Sequence, residues 1–284
     1  MKVHPFKIPK PPNECLHVQV DRHARFHPYL HQHQEMQLSL IRSGTGQLIV
    51  TNEIYTFQAG DIFLIGQQTP HMFKSAKDSP ESHMVTLFLD LETLGATLLA
   101  LPEMTEVHRF LLQVSHGYQL MDAHGSLTQL LSALPQRMLL ERTLDVIHVL
   151  DLIMKMPKTE LAPLGTLRTL SNREGLRLQL VFDHITNHFQ GKIHLKEVAQ
   201  LAHMTPNAFC RFFKQHTHRT LFDFIIQLRL QHALQLLLTK EHLPISEIAE
   251  TSGFQSISQF NRKFKEWKGK APSQYRKAIK SLQA

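Results

Sequence analysis

Residues 253–276 read GFQSISQFNRKFKEWKGKAPSQYR, a segment that predicts one bounded helix of about three turns. Three aromatic residues recur at i, i+4 and i+7, and therefore share one face: Phe260, Phe264 and Trp267. Ser256 has a side chain suited to the N-cap, and Gly269 suits the C-terminal end. The aromatic face is expected to be buried, which leaves the opposite face for a partner.

The face opposite the aromatic stripe is polar and basic. At about 100° per residue, Ser258, Arg262 and Lys265 point directly away from the stripe, and Gln259 and Asn261 lie on its shoulders. A single basic helix face is more often a solvated surface than a binding site. The segment needs a second observation before it indicates a function.

A second copy of the pattern supplies that observation. Residues 195–220 read LKEVAQLAHMTPNAFCRFFKQHTHRT, in which Thr205 takes the capping place of Ser256. Each further match has the same offset of 51 residues: Phe209 with Phe260, Phe213 with Phe264, Asn207 with Ser258, Cys210 with Asn261, Arg211 with Arg262, and Lys214 with Lys265. A short helical pattern, LKEVAQLA or ISEIAETS, comes before each copy. The sequence therefore predicts two helix-turn-helix units.

The segment between the two units predicts a rigid spacer. Residues 220–240 form an apolar-periodic pattern without Gly or Pro. A helix of this length spans about 30 Å, which compares with the roughly 34 Å of one turn of B-DNA. Two reading helices held by it could enter successive major grooves on one face of the duplex.

Residues from about 177 to 281 resemble the DNA-binding domain of AraC/XylS-type transcription regulators. The resemblance rests on AFCRFFK in the first unit, RLQHALQLL in the spacer, and GF followed by SQFNRKFK, Gly, Pro and Tyr-Arg in the second unit. Ile257 and His218 depart from the family pattern, which commonly has glycine at the place of His218. The resemblance implies a sequence-specific regulator without catalysis that binds double-stranded DNA, with RNA polymerase as a further candidate partner.

Under that resemblance, two arginines are expected to contact base edges. Arg211 and Arg262 repeat between the units, and a guanidinium group can make two hydrogen bonds to guanine. Four further candidates for base contacts are Asn207, Ser258, Gln259 and Asn261. Three lysines are expected to contact phosphates: Lys214, Lys263 and Lys265.

The charge is distributed unevenly along the 284-residue chain. Residues 177–284 hold 16 Lys and Arg against 7 Asp and Glu, whereas residues 1–176 hold 15 against 17. This asymmetry fits a phosphate-binding half joined to a half with another partner. The two cysteines cannot form a disulfide framework, and no segment resembles a signal peptide or a membrane span. A cytoplasmic protein is expected.

The first 90 residues predict an extended arm followed by a small β barrel or sandwich. Four prolines in residues 1–14 disfavour a helix there. Short apolar runs separated by turn residues then indicate strands. The runs are CLHVQVDRH (15–23), EMQLSLIRSG (35–44), GQLIVTNEIYTF (46–57), GDIFLIG (60–66) and SHMVTLFLD (82–90).

Histidines within this region resemble the motifs of cupins. His31 and His33 alternate on an expected strand and so point to one face, where His71 could join them. The first cupin motif runs His-x-His, then an acid, then Gly; here Gln37 holds the acid's place and Gly44 matches. The second motif is matched at Gly60 and His71, while Gly66 and Gln68 replace its usual Pro and Gly.

Three interpretations of this region remain open. The favoured one is an effector pocket for a small molecule, lined by His31, His33, Gln37 and His71, without a metal or other cofactor, as is common in AraC-like regulators. A metal-dependent cupin enzyme would use the three histidines as ligands, but a neutral amide is a poor substitute for a carboxylate ligand. Purely structural histidines are the third interpretation. For the whole chain, a non-sensing architectural DNA binder is a further alternative, but it would leave the large domain unexplained.

Residues 103–156 predict helices, with Pro135 marking a break. One apolar stripe is expected at Leu140, Leu144, Ile147, Leu150 and Met154. The family resemblance implies that a helix pair here makes a homodimer contact. The predicted organisation is α+β: a cupin-like β-barrel domain with a helical layer for effector binding and dimerisation (1–156), a linker (157–176) and an all-α domain of two helix-turn-helix units (177–284).

Overall fold

The computed structural model describes residue 8 and residues 15–26, 29–51, 53–76, 79, 81–162, 172–240 and 242–283. The chain divides into two compact units, Met1–Leu176 and Arg177–Ala284. Strands and helices build the first unit, while the described residues of the second are helical, so the predicted α+β class is confirmed. The expected extended arm lies outside the described residues except for Ile8, whose side chain is buried.

Nine described strands form two antiparallel sheets in the first unit. The larger sheet has the order β1-β7-β2-β5-β8-β9, and the smaller one the order β4-β3-β6. The strands are β1 Leu16–His23, β2 Met36–Ser43, β3 Gly46–Val50, β4 Glu53–Phe57, β5 Ile62–Ile65, β6 His71–Ser75, β7 Ser82–Leu89, β8 Gly117–Leu120 and β9 Lys158–Glu160. One apolar cluster draws residues from both sheets, so the two sheets pack face to face.

The central strands are buried on both faces. On β2, Leu38 and Leu40 belong to the apolar cluster shared with the helices, whereas Ile41 belongs to the cluster between the sheets. Because side chains alternate along a strand, Gln37 and Ser39 point to the same inner side as Ile41. The interior between the sheets is therefore mainly apolar, but it contains the polar side chains of Gln37 and Ser39.

Helices cover the outer face of the larger sheet, where a single apolar cluster joins strands and helices. The α-helices are α1 Leu91–Gly95, α2 Thr105–Gln113, α3 Ser126–Ala133 and α4 Leu139–Lys155. Three short 3-10 helices accompany them: Leu98–Ala100, Pro102–Met104 and Leu134–Gln136. The break at Pro135 occurs where the sequence predicts it.

Two predictions for the end of this unit are wrong. The predicted helical region, residues 103–156, includes Gly117–Leu120, which instead forms β8 and pairs with β5. The predicted linker begins at residue 157, yet Lys158–Glu160 forms β9 and Leu161 and Ala162 are fully buried. Pairing with a sheet edge and burial in the core override the local pattern in both places. The described end of the linker region is also structured, since α5 begins at Asn172.

The core face of α4 differs from the predicted stripe. Its buried side chains are Val146, Val149, Leu150 and Ile153. Leu150 of the predicted stripe is among them, but Leu140 and Leu144 are instead 73% and 54% exposed. The sequence contains two apolar stripes on this helix, and only one of them packs against the sheet.

The second unit contains seven helices in its described residues. They are α5 Asn172–His188, α6 Leu195–Leu201, α7 Pro206–Thr217, α8 Leu221–Thr239, α9 Ile245–Thr251, α10 Ile257–Lys268 and α11 Pro272–Gln283. Helices α6 and α7 form the first predicted helix-turn-helix unit, α9 and α10 form the second, and α8 is the predicted spacer. No described helix, in either unit, combines the length and the apolar character that crossing a membrane requires.

A close backbone contact ties the second helix-turn-helix to the region before the first. Gly253, in the turn between α9 and α10, has φ +87°, and a Cβ built on it would lie 2.7 Å from Gln190 Cα. Arg229 of α8 donates from Nε to the carbonyl of Phe189 (2.6 Å) and from Nη2 to that of Gly191 (2.8 Å). The segment 189–191 is thus clamped between α8 and the turn at Gly253.

We expect Gly253→Ala to lower the free energy of unfolding of the second unit by about 2–4 kcal/mol, because it adds a steric overlap to the cost of positive φ. Gly269→Ala is the matched control, since Gly269 has φ +75° but no heavy atom within 4 Å of its built Cβ. Gly269→Ala should lower the free energy of unfolding by only about 1–2 kcal/mol. Urea unfolding followed by the fluorescence of Trp267, the one tryptophan of the chain, measures both variants. If the two variants lost the same free energy of unfolding, the contact of Gly253 with Gln190 would not have the role assigned to it.

Candidate DNA interface and histidine site

The two reading helices have the same end geometry. The Thr205 side chain accepts from the Ala208 N–H at the start of α7, and the Ser256 side chain accepts from the Gln259 N–H at the start of α10. Each helix ends on a residue in the left-handed conformation, His218 at φ 53° and Gly269 at φ 75°. His218 therefore differs from the family's glycine in residue type but keeps the left-handed backbone conformation.

Each reading helix separates an apolar face from a polar one. Phe209, Phe213, Phe260 and Phe264 are fully buried, and Trp267 is half-buried. The candidate residues for DNA contact are exposed except Lys263, which is half-buried. The exposed candidates are Asn207, Arg211, Lys214, Ser258, Gln259, Asn261, Arg262 and Lys265.

An acidic residue distinguishes the second reading face from the first. Glu266 lies 3.1 Å from Arg262 Nη1 and 3.0 Å from Lys263 Nζ, measured from its two carboxylate oxygens. The Lys263 hydrogen bond is the largest influence that lowers the pKa of Glu266, so the group is a carboxylate at neutral pH. The corresponding residue of α7 is Gln215. Arg211 therefore has no carboxylate one turn along its helix, whereas Arg262 has one.

Sequence reasoning missed a cleft between the ends of the reading helices, whose wall carries the acidic residues Asp223 and Glu266 as well as basic ones. The cleft has a volume of about 530 Å³, and Lys214 and Lys263 both line it. Arg219 and His218, which follow α7, add two further basic groups to its wall. Under the offset of 51 residues Arg219 matches Lys270, so the repeat contained a signal for a basic residue here that the motif alignment did not use.

In the first unit, the structure brings the three predicted histidines together. One ring nitrogen from each of His31, His33 and His71 lies within 4.8 Å of the others. His71 lies on β6, but His31 forms only an isolated bridge with it, so the expected strand through His31 and His33 is wrong. The residues before β2 bend across the end of β6 and bring the pair to His71.

Backbone carbonyls fix the orientation of each ring. His31 Nδ1 lies 2.8 Å from the Tyr29 carbonyl oxygen, and the corresponding distances are 2.8 Å from His33 to Glu35 and 2.8 Å from His71 to Thr69. A carbonyl oxygen only accepts, so each Nδ1 carries the proton. The Nε2 atom of each neutral ring is left with a lone pair.

Gln37 connects two of the rings to a chain of hydroxyl groups. Its Oε1 lies 2.9 Å from His33 Nε2 and 3.0 Å from His71 Nε2. Its Nε2 lies 2.8 Å from Ser39 Oγ, which lies 3.0 Å from Thr86 Oγ1. The connected groups run from the histidines along the inner faces of β2 and β7.

The surroundings keep the rings neutral. Burial lowers the pKa of His31 to about 4, although part of this residue remains open to solvent. Burial also lowers the pKa of His33. The pKa of His71 lies well below its ordinary value because the ring is fully buried next to two other imidazoles. At neutral pH the cluster therefore consists of uncharged imidazoles.

Two family models cover most of the chain. Residues 11–144 match the model of the AraC-like ligand binding domain, and residues 198–278 match a helix-turn-helix domain model. The chain belongs to the AraC family of transcription regulators. It is a DNA-binding regulator with an N-terminal ligand-binding domain, as the resemblance implied.

Individual relatives in this family are distant. The probable transcriptional regulator LumQ of Photobacterium leiognathi is 30% identical over 36% of this chain, which spans 41% of the length of that relative. The Msm operon regulatory protein of Streptococcus mutans is 21% identical over 86% of this chain and 84% of its own length. The crystal structure of fatty-acid-bound ToxT from Vibrio cholerae aligns with 94% of this chain and 96% of ToxT, at 14% identity and a TM-score of 0.38.

We expect Glu266→Gln to raise affinity for random duplex DNA about two- to tenfold, because it removes a negative charge from a face that meets phosphates. The same change should reduce the preference for a cognate site, since Arg262 loses the partner that orders it. Gln215→Glu is the matched control, which should give Arg211 a carboxylate and weaken binding to random DNA. Fluorescence anisotropy on cognate and random duplexes measures both variants. Changes of the same sign in the two variants would contradict this role for residue 266.

Proposed function

We propose that this chain regulates transcription by placing α7 and α10 in successive major grooves of one DNA site, in response to an effector bound in the first unit. The observation that carries the proposal is the repeated reading helix: two helices with side-chain caps at equivalent positions, buried phenylalanines, and an exposed arginine at the same offset. A helix that only packs against its own domain does not need the same polar outer face in both copies.

The spacer supports this arrangement. Helix α8 contains 19 residues and is capped by the Thr220 side chain, which accepts from the Asp223 N–H. Its length of about 28 Å approaches the distance between successive major grooves. Arg211 and Arg262 would contact base edges, with Asn207, Ser258, Gln259 and Asn261 as secondary contacts. Lys214, Lys263 and Lys265 would contact phosphates, and Arg219 extends this basic surface.

The histidine cluster is the proposed effector site of the first unit. His31, His33, Gln37 and His71 place several polar groups in an interior where apolar residues predominate. Burying such groups costs free energy unless each finds a partner. A functional role for the cluster accounts for that cost, and the half-exposed His31 gives it access to solvent.

Helix α4 carries the proposed homodimer surface. Met138, Leu139, Leu140 and Leu144 are 74%, 71%, 73% and 54% exposed, on the side that does not pack against the sheet. Exposed apolar residues at this density mark interaction surfaces. Two copies of the helix packed about a two-fold axis would cover them.

The remaining parts of the proposal follow from the regulator role. The chain would act in the cytoplasm, where its DNA lies, and it would act without catalysis. RNA polymerase is the proposed further partner, through which bound regulator would change transcription. None of these three parts assigns a role to a residue that is not already named above.

We expect Arg262→Ala to cost about 1–3 kcal/mol on a duplex selected from a random library, and to relax sequence preference in one half of that site. Arg211→Ala should do the same in the other half. Lys265→Ala is the control, which should weaken all duplexes alike and reduce the salt slope by about 1. Anisotropy titrations over a range of salt concentrations measure all three. If Arg262→Ala weakened cognate and random duplexes equally, Arg262 would be a phosphate contact instead.

We expect the double substitution of Leu140 and Leu144 by Lys to convert a dimer to a monomer, because it places charges in the apolar surface on α4. Leu238→Lys, which alters a 47% exposed leucine of α8, should leave the dimer intact. Sedimentation velocity at micromolar concentration measures the change. A wild-type chain that sediments as a monomer would overturn the proposed dimer surface.

A further inference from the structure

The histidine cluster has the chemistry of a cation site. Each Nδ1–H is committed to a backbone carbonyl at 2.8 Å, so every Nε2 presents a lone pair. Histidines that bind metals have this arrangement, because a hydrogen bond from the second ring nitrogen fixes the tautomer and the ring orientation. The Glu35 carboxylate, 3.9 Å from His33 Nδ1, adds a negative charge behind one ring.

The space among the rings suits an ion and not an organic molecule. The centroids of His31 and His71 lie 4.3 Å apart, and those of His33 and His71 lie 5.2 Å apart. Because the donor atoms lie within 4.8 Å of one another, small movements of the rings toward a common centre would bring all three to one ion at bond lengths of about 2.0–2.1 Å. His33, Gln37 and His71 are buried, and only His31 is partly open to solvent.

Gln37 supplies a fourth donor. Its Oε1 lies 2.9 and 3.0 Å from the two Nε2 atoms, where three lone pairs face one another. Two ligands at right angles and about 2.1 Å from one ion are separated by about 3.0 Å. The sequence argued against a metal because an amide replaces the acid, but amide oxygens are also cation ligands. The measured distances fit that use of Gln37.

We propose that the first unit binds one divalent transition-metal ion through His31, His33, His71 and the amide oxygen of Gln37, and that this ion is the effector or the part of the site that holds it. The proposal rests on the proposed effector role of the cluster. Imidazole-rich sites suit zinc, nickel, ferrous iron or cupric copper. Neither of the two cysteines of the chain belongs to the cluster, which disfavours cuprous copper.

The same geometry provides a way for the ion to change the protein. Without an ion, Gln37 turned by 180° donates its two amide hydrogens to the His33 and His71 lone pairs, and its oxygen accepts from Ser39. With an ion, the oxygen faces the ion and the amide nitrogen donates to Ser39. Ser39 then donates to Thr86, whereas in the ion-free state it accepts from Thr86. Binding would reverse the hydrogen bonds of a buried chain that joins β2 to β7.

The test uses the full untagged chain, stripped with a chelator and titrated with Co²⁺ as the probe. We expect visible d–d absorption that saturates at one ion per chain, and a rise in the thermal midpoint. His33→Ala should weaken Co²⁺ binding by more than the 10- to 100-fold that loss of an outer-shell partner costs. Gln37→Glu should tighten it, because a carboxylate replaces a neutral donor.

His188→Ala is the matched control, since His184 and His188 form another close ring pair, at 4.6 Å, in the second unit. It should not change the Co²⁺ spectrum. The absence of a d–d band, or a band unchanged by His33→Ala, would overturn the ion site.

Reporter transcription separates the two proposals. If Co²⁺ does not bind but His33→Ala still alters transcription in cells, the effector site stands and the ion fails. If His33→Ala changes neither Co²⁺ binding nor reporter transcription, both the effector site and the ion site are contradicted.

Discussion

The contact of Gly253 with the backbone of Gln190 is the constraint on which the second unit depends. Two helix-turn-helix units can read one DNA site only if their reading helices keep a fixed separation. Helix α8 sets the distance between the two helix-turn-helix units. A single helix does not, however, fix how the units are rotated relative to each other. Arg229 and the Gly253 turn hold the segment 189–191 from two sides, and so join the region before α6 to the turn before α10.

Much of this unit was predictable because its signal is repeated. The offset of 51 residues aligned the caps, the buried phenylalanines and the outer arginines, and the two members of each pair are alike in burial. The contacts of Arg229 and Gly253 with residues 189–191 were not predictable. Arg229 lies within the RLQHALQLL segment that carried the family resemblance, but its carbonyl partners are about 40 residues earlier in the chain. Gly253 lies in the turn between α9 and α10, and the second reason for glycine there, the close approach of Gln190, depends on the fold.

The first unit was harder to predict for a different reason. Apolar residues occur on both faces of its central strands and on two sides of α4, so periodicity did not show which face meets the sheet. Leu140 and Leu144 fit a helical stripe as well as Val146 and Val149 do, but only the second pair is buried. The histidines were identified from their spacing, and their convergence was expected. Their carbonyl partners and the position of the Gln37 oxygen depend on loops that pattern alone does not determine.

The two copies of the reading motif are not equal in local free energy. In the turn before the reading helix, His203 of the first copy has φ 53° where the second has Gly253, and His218 has φ 53° where the second has Gly269. A residue with a Cβ in this conformation costs about 1–2 kcal/mol, whereas glycine adopts it freely. The first copy therefore carries strain at both ends of its reading helix, and the second does not. Because opening releases that strain, we expect the ends of α7 to open at a lower cost in free energy than the ends of α10.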